Sequence, residues 1–536
     1  MRATHWSFCT TAAALLAVCT GAPAAAQAAT PAASPVGRQL SSQQWWSQFL
    51  GHSRQLGPAG SETTSVVVDL RGPFARDLVA RWAAGHDLTA SFYAGSKVAV
   101  LDGSASEVGR AFKVEVDQFR APGGEHFLAA KRLPRTPAGL KAYISGVGRI
   151  SSYEGWQDDY VPGGGLTPPG LLEAYDATPL RARTDGAGET IVAFEVDGYT
   201  KSDLQQFATR YHLPAFFGGS NSLIVHGGEA GAAEGETNMD LETLREIAPG
   251  ARLVYFNLLG VHSKSTSGTL ISAFSEASKE WPGAVWTVSL GLCEKLFSFS
   301  DLNAVNNVVV AAEGKGTSVF AASGDSAGLE CTGWDSNSWG SAPSSDDIGV
   351  QVPAVLPSVT GVGGTTLSVT RDGAYSSEAA WYYPVLGQGT GGGVSTLVAQ
   401  PSWQVGQGLP KPSSSEGREV PDVAALADPI TGNAIFEGGR PSEGNGTSLA
   451  TPVWAGFTAL ADAYLRSLGG HAVGFANPAL YYIAGHSPPY PPFHVVSTGG
   501  NEVYLNGSGY SPTTGLGSPN VWDLARDFAW LQGKLK

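Results

Sequence analysis

Gly446-Thr447-Ser448-Leu449-Ala450-Thr451-Pro452 reads as a loop that turns sharply into a helix, with a serine at the helix start. Gly446 allows close backbone approach or a positive φ. Pro452 falls in what reads as the first turn, where its missing N–H costs nothing. Val453, Trp454, Phe457, Leu460, Ala461, Tyr464 and Leu465 continue as an apolar helical stripe. A serine so placed has unsatisfied backbone N–H groups beside it and the positive end of a helix dipole beneath it. Those are ingredients of a nucleophile with an oxyanion site. They are equally those of a Ser/Thr cap on a buried helix, so the rest of the chain has to decide.

The surrounding region, from about residue 170, alternates short apolar runs with helical stretches. The runs 190–196, 222–225, 252–256, 284–290 and 317–322 look like buried parallel strands. Between them 201–211, 236–248, 268–280 and 301–314 read as helices. This is βαβ alternation, hence an α/β domain with a mainly parallel sheet and sites at the carboxyl ends of its strands.

A serine nucleophile needs a base, and none of the ten histidines has a sequence context that singles it out. Glu236 and Asp240 stand at i and i+4 on one predicted helix, so they share a face. In a cleft one carboxyl holds a proton and hydrogen-bonds the other, giving a base with an orienting acid. On a surface the same pair is only a solvated acidic face. Asp325, in Ser323-Gly324-Asp325, follows a predicted strand on a glycine-rich turn. It reads either as a turn residue or as a protonated carboxylic acid that donates to an oxyanion.

The formal net charge of −14, from 33 Lys+Arg and 47 Asp+Glu, leaves no basic cluster and argues against nucleic acid as a partner. A chain poor in bases also accumulates less repulsion in acid. Arg2, the apolar stretch 11–19 and Ala26-Gln27-Ala28 form a signal peptide over 1–28. No later run is long enough to span a membrane. Cys293 and Cys331 remain after its removal, and an even pair in an oxidising compartment points to one disulfide rather than two buried thiols. Residues 38–150 mix strands (64–70, 97–101, 112–119, 126–130) with helices (74–84, 105–112, 137–145), a small α+β domain. A connector at 151–172, rich in glycine and proline over 161–170, separates it from the domain at 173–536 and reads as exposed and open to proteolysis.

Together these residues resemble the sedolisins, serine-carboxyl peptidases with a subtilisin-like fold. Gly446-Thr447-Ser448 with Pro452, Glu236 with Asp240, and Ser323-Gly324-Asp325 carry the resemblance. Val362-Gly363-Gly364-Thr365-Thr366, Gly391-Gly392-Gly393 and Val420-Pro421-Asp422-Val423 extend it. The resemblance implies a subtilisin-like, mainly parallel sheet flanked by helices, preceded by a ferredoxin-like α+β activation domain. It implies a secreted, monomeric, acid-active endopeptidase made as a proenzyme, with polypeptide substrates and its own prodomain as inhibitor. Ser448 would be the nucleophile, Glu236 the base, Asp240 its partner and Asp325 the oxyanion donor. A non-catalytic peptide-binding relative and an esterase or amidase are the alternatives.

Three departures accompany the resemblance. The family's calcium site uses two carboxylates near the C-terminus, where this chain has Val495 and Ser511. The carbonyl positions Val496, Gly507 and Gly509 are retained, so calcium binding is expected to be weak or absent, with Val495 packing locally. Leu290 stands where some members carry a tryptophan that extends the proton network from an upstream glutamate, here Glu195. Asn445 creates a sequon beside the nucleophile, read as incidental.

Overall fold

The computed structural model describes residues 46–47, 50–51 and 53–535, apart from 73–74, 93–96, 122–125, 154–164, 229–230, 262, 264, 333–346, 371–372, 384–386, 406–415 and 487. The expected signal peptide at 1–28 and connector residues 154–164 lie outside the described residues.

The N-terminal block contains β1 (Arg54–Pro58), β2 (Thr63–Leu70), α1 (Ala75–Ala84), β3 (Thr89–Phe92), β4 (Val98–Ser104), α2 (Ala105–Phe112), β5 (Val116–Arg120), β6 (His126–Ala130) and β7 (Ile144–Val147). Strands β3-β4-β2-β7 form one antiparallel sheet, and β1-β5-β6 form another. The two-residue period of β2 and β4 serves two cores. Val66, Val68, Ala99 and Leu101 point to the block's own helices, while Val67, Val98 and Val100 join the core of the larger domain.

The stretch 137–145, read above as a helix, is instead a single 3-10 turn at Ala138–Leu140 followed by β7. Ile144 and Val147 complete the open edge of β2, and Gly146 weakens any competing helix. Phe112 likewise ends α2 rather than starting a strand, because Lys113 takes a left-handed C-cap conformation (φ 57°).

The larger domain contains β8 (Thr190–Glu195), α3 (Lys201–Arg210), β9 (Ile224–His226), α4 (Glu236–Ile247), β10 (Arg252–Asn257), α5 (Thr266–Glu280), β11 (Val285–Val288), α6 (Phe299–Glu313), β12 (Ser318–Ala322), β13 (Thr360–Val369), β14 (Tyr375–Ala380), β15 (Val423–Leu426), β16 (Asn433–Glu437), β17 (Arg440–Gly444) and α7 (Gly446–Ser467). The sheet order is β14-β13-β12-β11-β8-β10-β9, with β15 also paired to β13. All pairs are parallel except β13–β14. This is the mainly parallel α/β sheet expected from the alternating pattern, flanked by helices as the family resemblance implies.

Successive residues of each strand enter opposite cores. Val192, Phe194, Trp286 and Val288 face α5, α6 and the N-terminal block. Ile191, Ala193, Val285 and Phe320 face α4 and α7. Burial on both faces explains why these strands read as continuous apolar runs. Among the described residues no helix is long and apolar enough to cross a membrane.

Candidate active site

From β8 the chain crosses to β9 and β10 on one side, and from β11 to β12 on the other. The carboxyl ends of β8 and β11 therefore flank a topological switch point, where open α/β sheets form a crevice. Helix α4 enters this crevice by its N-terminus. Its N-cap is Gly235 (φ 113°), which has no side chain to satisfy the first N–H groups. Asp197, just beyond β8, does so from a distance. Its carboxylate accepts from Thr237 N at 3.2 Å, from the Thr237 hydroxyl, and from Glu234 N at 2.9 Å. Burial raises the Asp197 pKa against these donors.

Every residue of α4 is buried, so the face carrying Glu236 and Asp240 is not a solvated acidic face. Both carboxyls lie at the crevice end, 3 % and 0 % exposed. Farther along, Glu242 accepts from Phe436 N at 2.6 Å and Glu246 from Asn433 Nδ2 at 2.7 Å. Burial pushes both well above the usual carboxylate range.

Ser448 reaches the same crevice from the opposite side. Helix α7 begins at Gly446 (φ 83°), so Ser448 is its third residue and Pro452 its seventh. This corrects the reading of Pro452 as a first-turn residue. In the second turn its missing N–H deprives the Ser448 carbonyl of its i+4 partner. Ser289, directly after β11, supplies the replacement: its hydroxyl lies 3.1 Å from Ser448 O and 2.6 Å from Asp240 Oδ2. The Ser448 hydroxyl in turn donates to Ser289 O at 3.2 Å. Asp240 and Ser448, on two different helices, are thus joined through one buried residue. Among the described residues no histidine hydrogen-bonds Ser448.

Asp325 is fixed from the start of α7. Its Oδ1 accepts from Thr447 N at 2.8 Å and Thr447 Oγ1 at 2.7 Å, and Thr447 Oγ1 accepts from Gly324 N at 3.2 Å. An oxygen accepting two donors is held as an acceptor, so a proton on this carboxyl belongs on Oδ2. The loop after Asp325 is braced by Glu330, which accepts from Ser326 N at 2.9 Å and Gln351 Nε2 at 2.7 Å. Cys293 and Cys331 form a disulfide (Cα–Cα 5.0 Å) that ties this loop to the one following Ser289-Leu290-Gly291.

Glu195, at the end of β8, has Oε2 3.4 Å from Thr237 Oγ1, whose proton goes to the nearer Asp197 carboxylate, and Leu290 is buried. Asn445 is 3 % exposed, too buried to receive a glycan in the folded chain. In the C-terminal loop Val495 is 52 % exposed, against the expectation that it packs locally. No hydrogen bond in the loop calls it inward, whereas Val496 beside it is buried. Asp197, the Ser289 hydroxyl and Thr447 were not selected from sequence. Their roles depend on which strand ends meet, which no local pattern reports.

Residues 224–473 match the family model described as Subtilase family. The chain is 29% identical over 480 residues to kumamolisin from Bacillus sp. (strain MN-32), covering 82% of this chain and 80% of kumamolisin. It is 30% identical over 387 residues to sedolisin from Pseudomonas sp. (strain 101), covering 69% of this chain and 61% of that protein. Bovine tripeptidyl-peptidase 1 is 28% identical over 423 residues, covering 73% of this chain and 70% of that protein. The solved structure of Pseudomonas sedolisin, a serine-carboxyl proteinase complexed with two molecules of pseudo-iodotyrostatin, superposes with a TM-score of 0.56 at 27% identity. That match covers 69% of this chain and 99% of the solved chain.

Proposed function

This chain belongs to the sedolisin family of serine-carboxyl peptidases, and we propose that it is an exported proenzyme that cleaves polypeptides in acid with Ser448 as nucleophile. The observation that carries the proposal is the junction at Ser289, where Asp240 of α4 and the backbone of Ser448 meet through one hydroxyl.

In this reading Ser448 Oγ attacks the scissile carbonyl carbon and its proton passes to Glu236. Asp240 hydrogen-bonds Glu236 and orients it. Protonated Asp325, donating from Oδ2, and the Ser448 N–H stabilise the oxyanion. Glu236 then returns the proton to the departing amine, leaving an acyl-enzyme. Water attacks the ester carbonyl as Glu236 takes its proton, and the intermediate collapses as Glu236 hands that proton to Ser448 Oγ, breaking the ester bond and releasing the acid product. A carboxylate base works at lower pH than a histidine, since their reference pKa values are about 4.3 and about 6.5. The oxyanion donor must also keep its proton, so activity falls toward neutrality.

The β-α-β-β-α-β order of β2, α1, β3, β4, α2 and β7, with sheet order β3-β4-β2-β7, supports a ferredoxin-like activation domain. That block is anchored on the peptidase domain. Arg149 N donates to Asp301 Oδ2 at 2.7 Å, and Thr266 Oγ1 donates to Tyr153 O at 2.5 Å. Within the connector, Leu166 pairs with the 432–434 segment. The test is incubation of the purified precursor at about pH 4. Self-cleavage near residues 160–175 that is lost in Ser448→Ala supports the proposal. An intact chain without proteolysis, or a pH optimum above neutrality, refutes it.

A further inference from the structure

The C-terminal loop at 493–517 is where the family resemblance implies a calcium ion, and its residues do not fit one. Glu502 is the only acidic residue in this stretch, and Ser511 offers a buried hydroxyl in place of a carboxylate. Calcium takes six to eight oxygens, usually with carboxylates among them. Instead, the oxygens of this loop converge on a side chain. Asn506 Nδ2 lies 3.1 Å from Val496 O, 3.2 Å from Thr498 O and 3.1 Å from Thr514 Oγ1. The orientation of the amide is fixed, because two of these partners are carbonyls that cannot donate. At the other end Asn506 Oδ1 accepts from Ser511 Oγ at 2.8 Å, and Ser511 Oγ lies 2.8 Å from Thr513 Oγ1.

We propose that the Asn506 carboxamide takes the place of the cation, so that this loop is held by hydrogen bonds and needs no metal. The amide supplies what the ion would supply to a neutral oxygen cage, a positive pole at its centre. It does so with two N–H protons shared among three acceptors. A cation ligated by Val496 O would occupy the space that Nδ2 fills, so amide and metal exclude each other.

The consequence reaches the crevice. Thr513 O accepts from Thr390 Oγ1 at 2.9 Å, which itself accepts from Gly364 N at 2.8 Å. The adjoining backbone carries Gly389 N to Asp325 O at 2.9 Å and Gly391 N to Gly324 O at 2.6 Å. Asn506 thereby braces the strand that supports Asp325.

The test is thermal unfolding of the full-length Ser448→Ala chain, which cannot digest itself, in excess EDTA and in millimolar calcium. The expected result is one Tm in both conditions and no saturable calcium binding by calorimetry. Asn506→Ala should lower Tm by about 3–6 °C, irrespective of calcium. Asn506→Asp places a carboxylate against the Val496 and Thr498 carbonyls, so near neutral pH it should lose stability in EDTA and regain part of it with calcium. Saturable calcium binding that raises the Tm of the parent chain would overturn the proposal. So would an unchanged Tm in Asn506→Ala, or an Asn506→Asp chain indifferent to calcium. None of these readouts depends on peptidase activity.

Discussion

Replacing Ser289 by alanine removes one hydroxyl from a place where two buried acceptors depend on it. Asp240 Oδ2 is 2.6 Å away and Ser448 O is 3.1 Å away. The hydroxyl has one proton, so the two contacts form a directional chain. An ionised Asp240 accepts that proton. A protonated Asp240 donates to Ser289 Oγ, whose proton then turns to Ser448 O. Loss of a hydrogen bond to a charged group costs about 1.5–3 kcal/mol, and a stranded buried carbonyl about 1–3 kcal/mol. Because one proton serves both, the expected cost is about 2–4 kcal/mol. Pro452 makes the reasoning testable. Pro452→Ala returns the N–H that Ser448 O lacks, so in that background Ser289→Ala should cost about 1 kcal/mol less. The assay is a double-mutant cycle by denaturant unfolding in the Ser448→Ala chain, with Ser289→Thr as the variant that retains the hydroxyl. In the active chain Ser289→Ala should lower kcat more than it alters KM. Additivity of the two substitutions within about 0.3 kcal/mol would refute the link between Pro452 and Ser289.

Glu236→Gln and Asp240→Asn should each reduce kcat on a peptide substrate near pH 4 by about 10²–10⁴-fold, the span of general-base catalysis; retention of a tenth of the activity would exclude Glu236 as the base. Asp325→Asn keeps an oxygen for Thr447 and gains an amide donor that does not titrate, so residual activity should extend toward neutral pH. An unchanged alkaline limb would count against Asp325 as the protonated donor. Stability should rise in acid. Burial pushes Asp69, Glu378 and Asp462 up to about 7. Each binds a proton in the folded chain at pH values where the unfolded chain has released it, so ∂ΔG/∂pH is negative between the unfolded pKa of about 4 and the folded value. Their stabilisation is fully present below about pH 4 and is lost as pH rises through about 7. Scanning calorimetry of the Ser448→Ala chain should therefore show a higher Tm at pH 4 than at pH 7.5, and the reverse order would refute it.

Much of this architecture was legible because β8, β10, β11 and β12 are apolar on both faces and α3, α4, α5 and α6 separate them. Residues 137–145 failed for the opposite reason: their local pattern favoured a helix, and only the open edge of β2 draws Ile144 and Ser145 into a strand. Ser448, Glu236, Asp240 and Asp325 could be picked out as candidates because loop, helix and strand-end contexts surround them in sequence. The Asp197–Thr237 cap, the Thr447 bond to Asp325 and the Ser289–Asp240 contact link residues 40, 122 and 49 positions apart, beyond any local pattern. Pro452 was misplaced by one turn because the start of α7 is set by the Gly446 N–H bond to Ala427 O at 2.8 Å, which no spacing reports. Asn506 escaped notice because an amide gives no metal-ligand signal, and its meaning lies in the carbonyls around it.

Helix α4 also bears on when during synthesis this chain can become active. Its buried acids Glu242 and Glu246 find their partners at Phe436 and Asn433, 194 and 187 residues later. The apolar wall against α4 comes from α7, later still. A ribosome that has released only the first half of the chain has therefore made Glu236 and Asp240 but not the surroundings that bury them. Ser448 is added near the end, together with the segment that closes over α4. With Ser448 as the proposed nucleophile, assembly order by itself would keep an incomplete chain from cutting its neighbours.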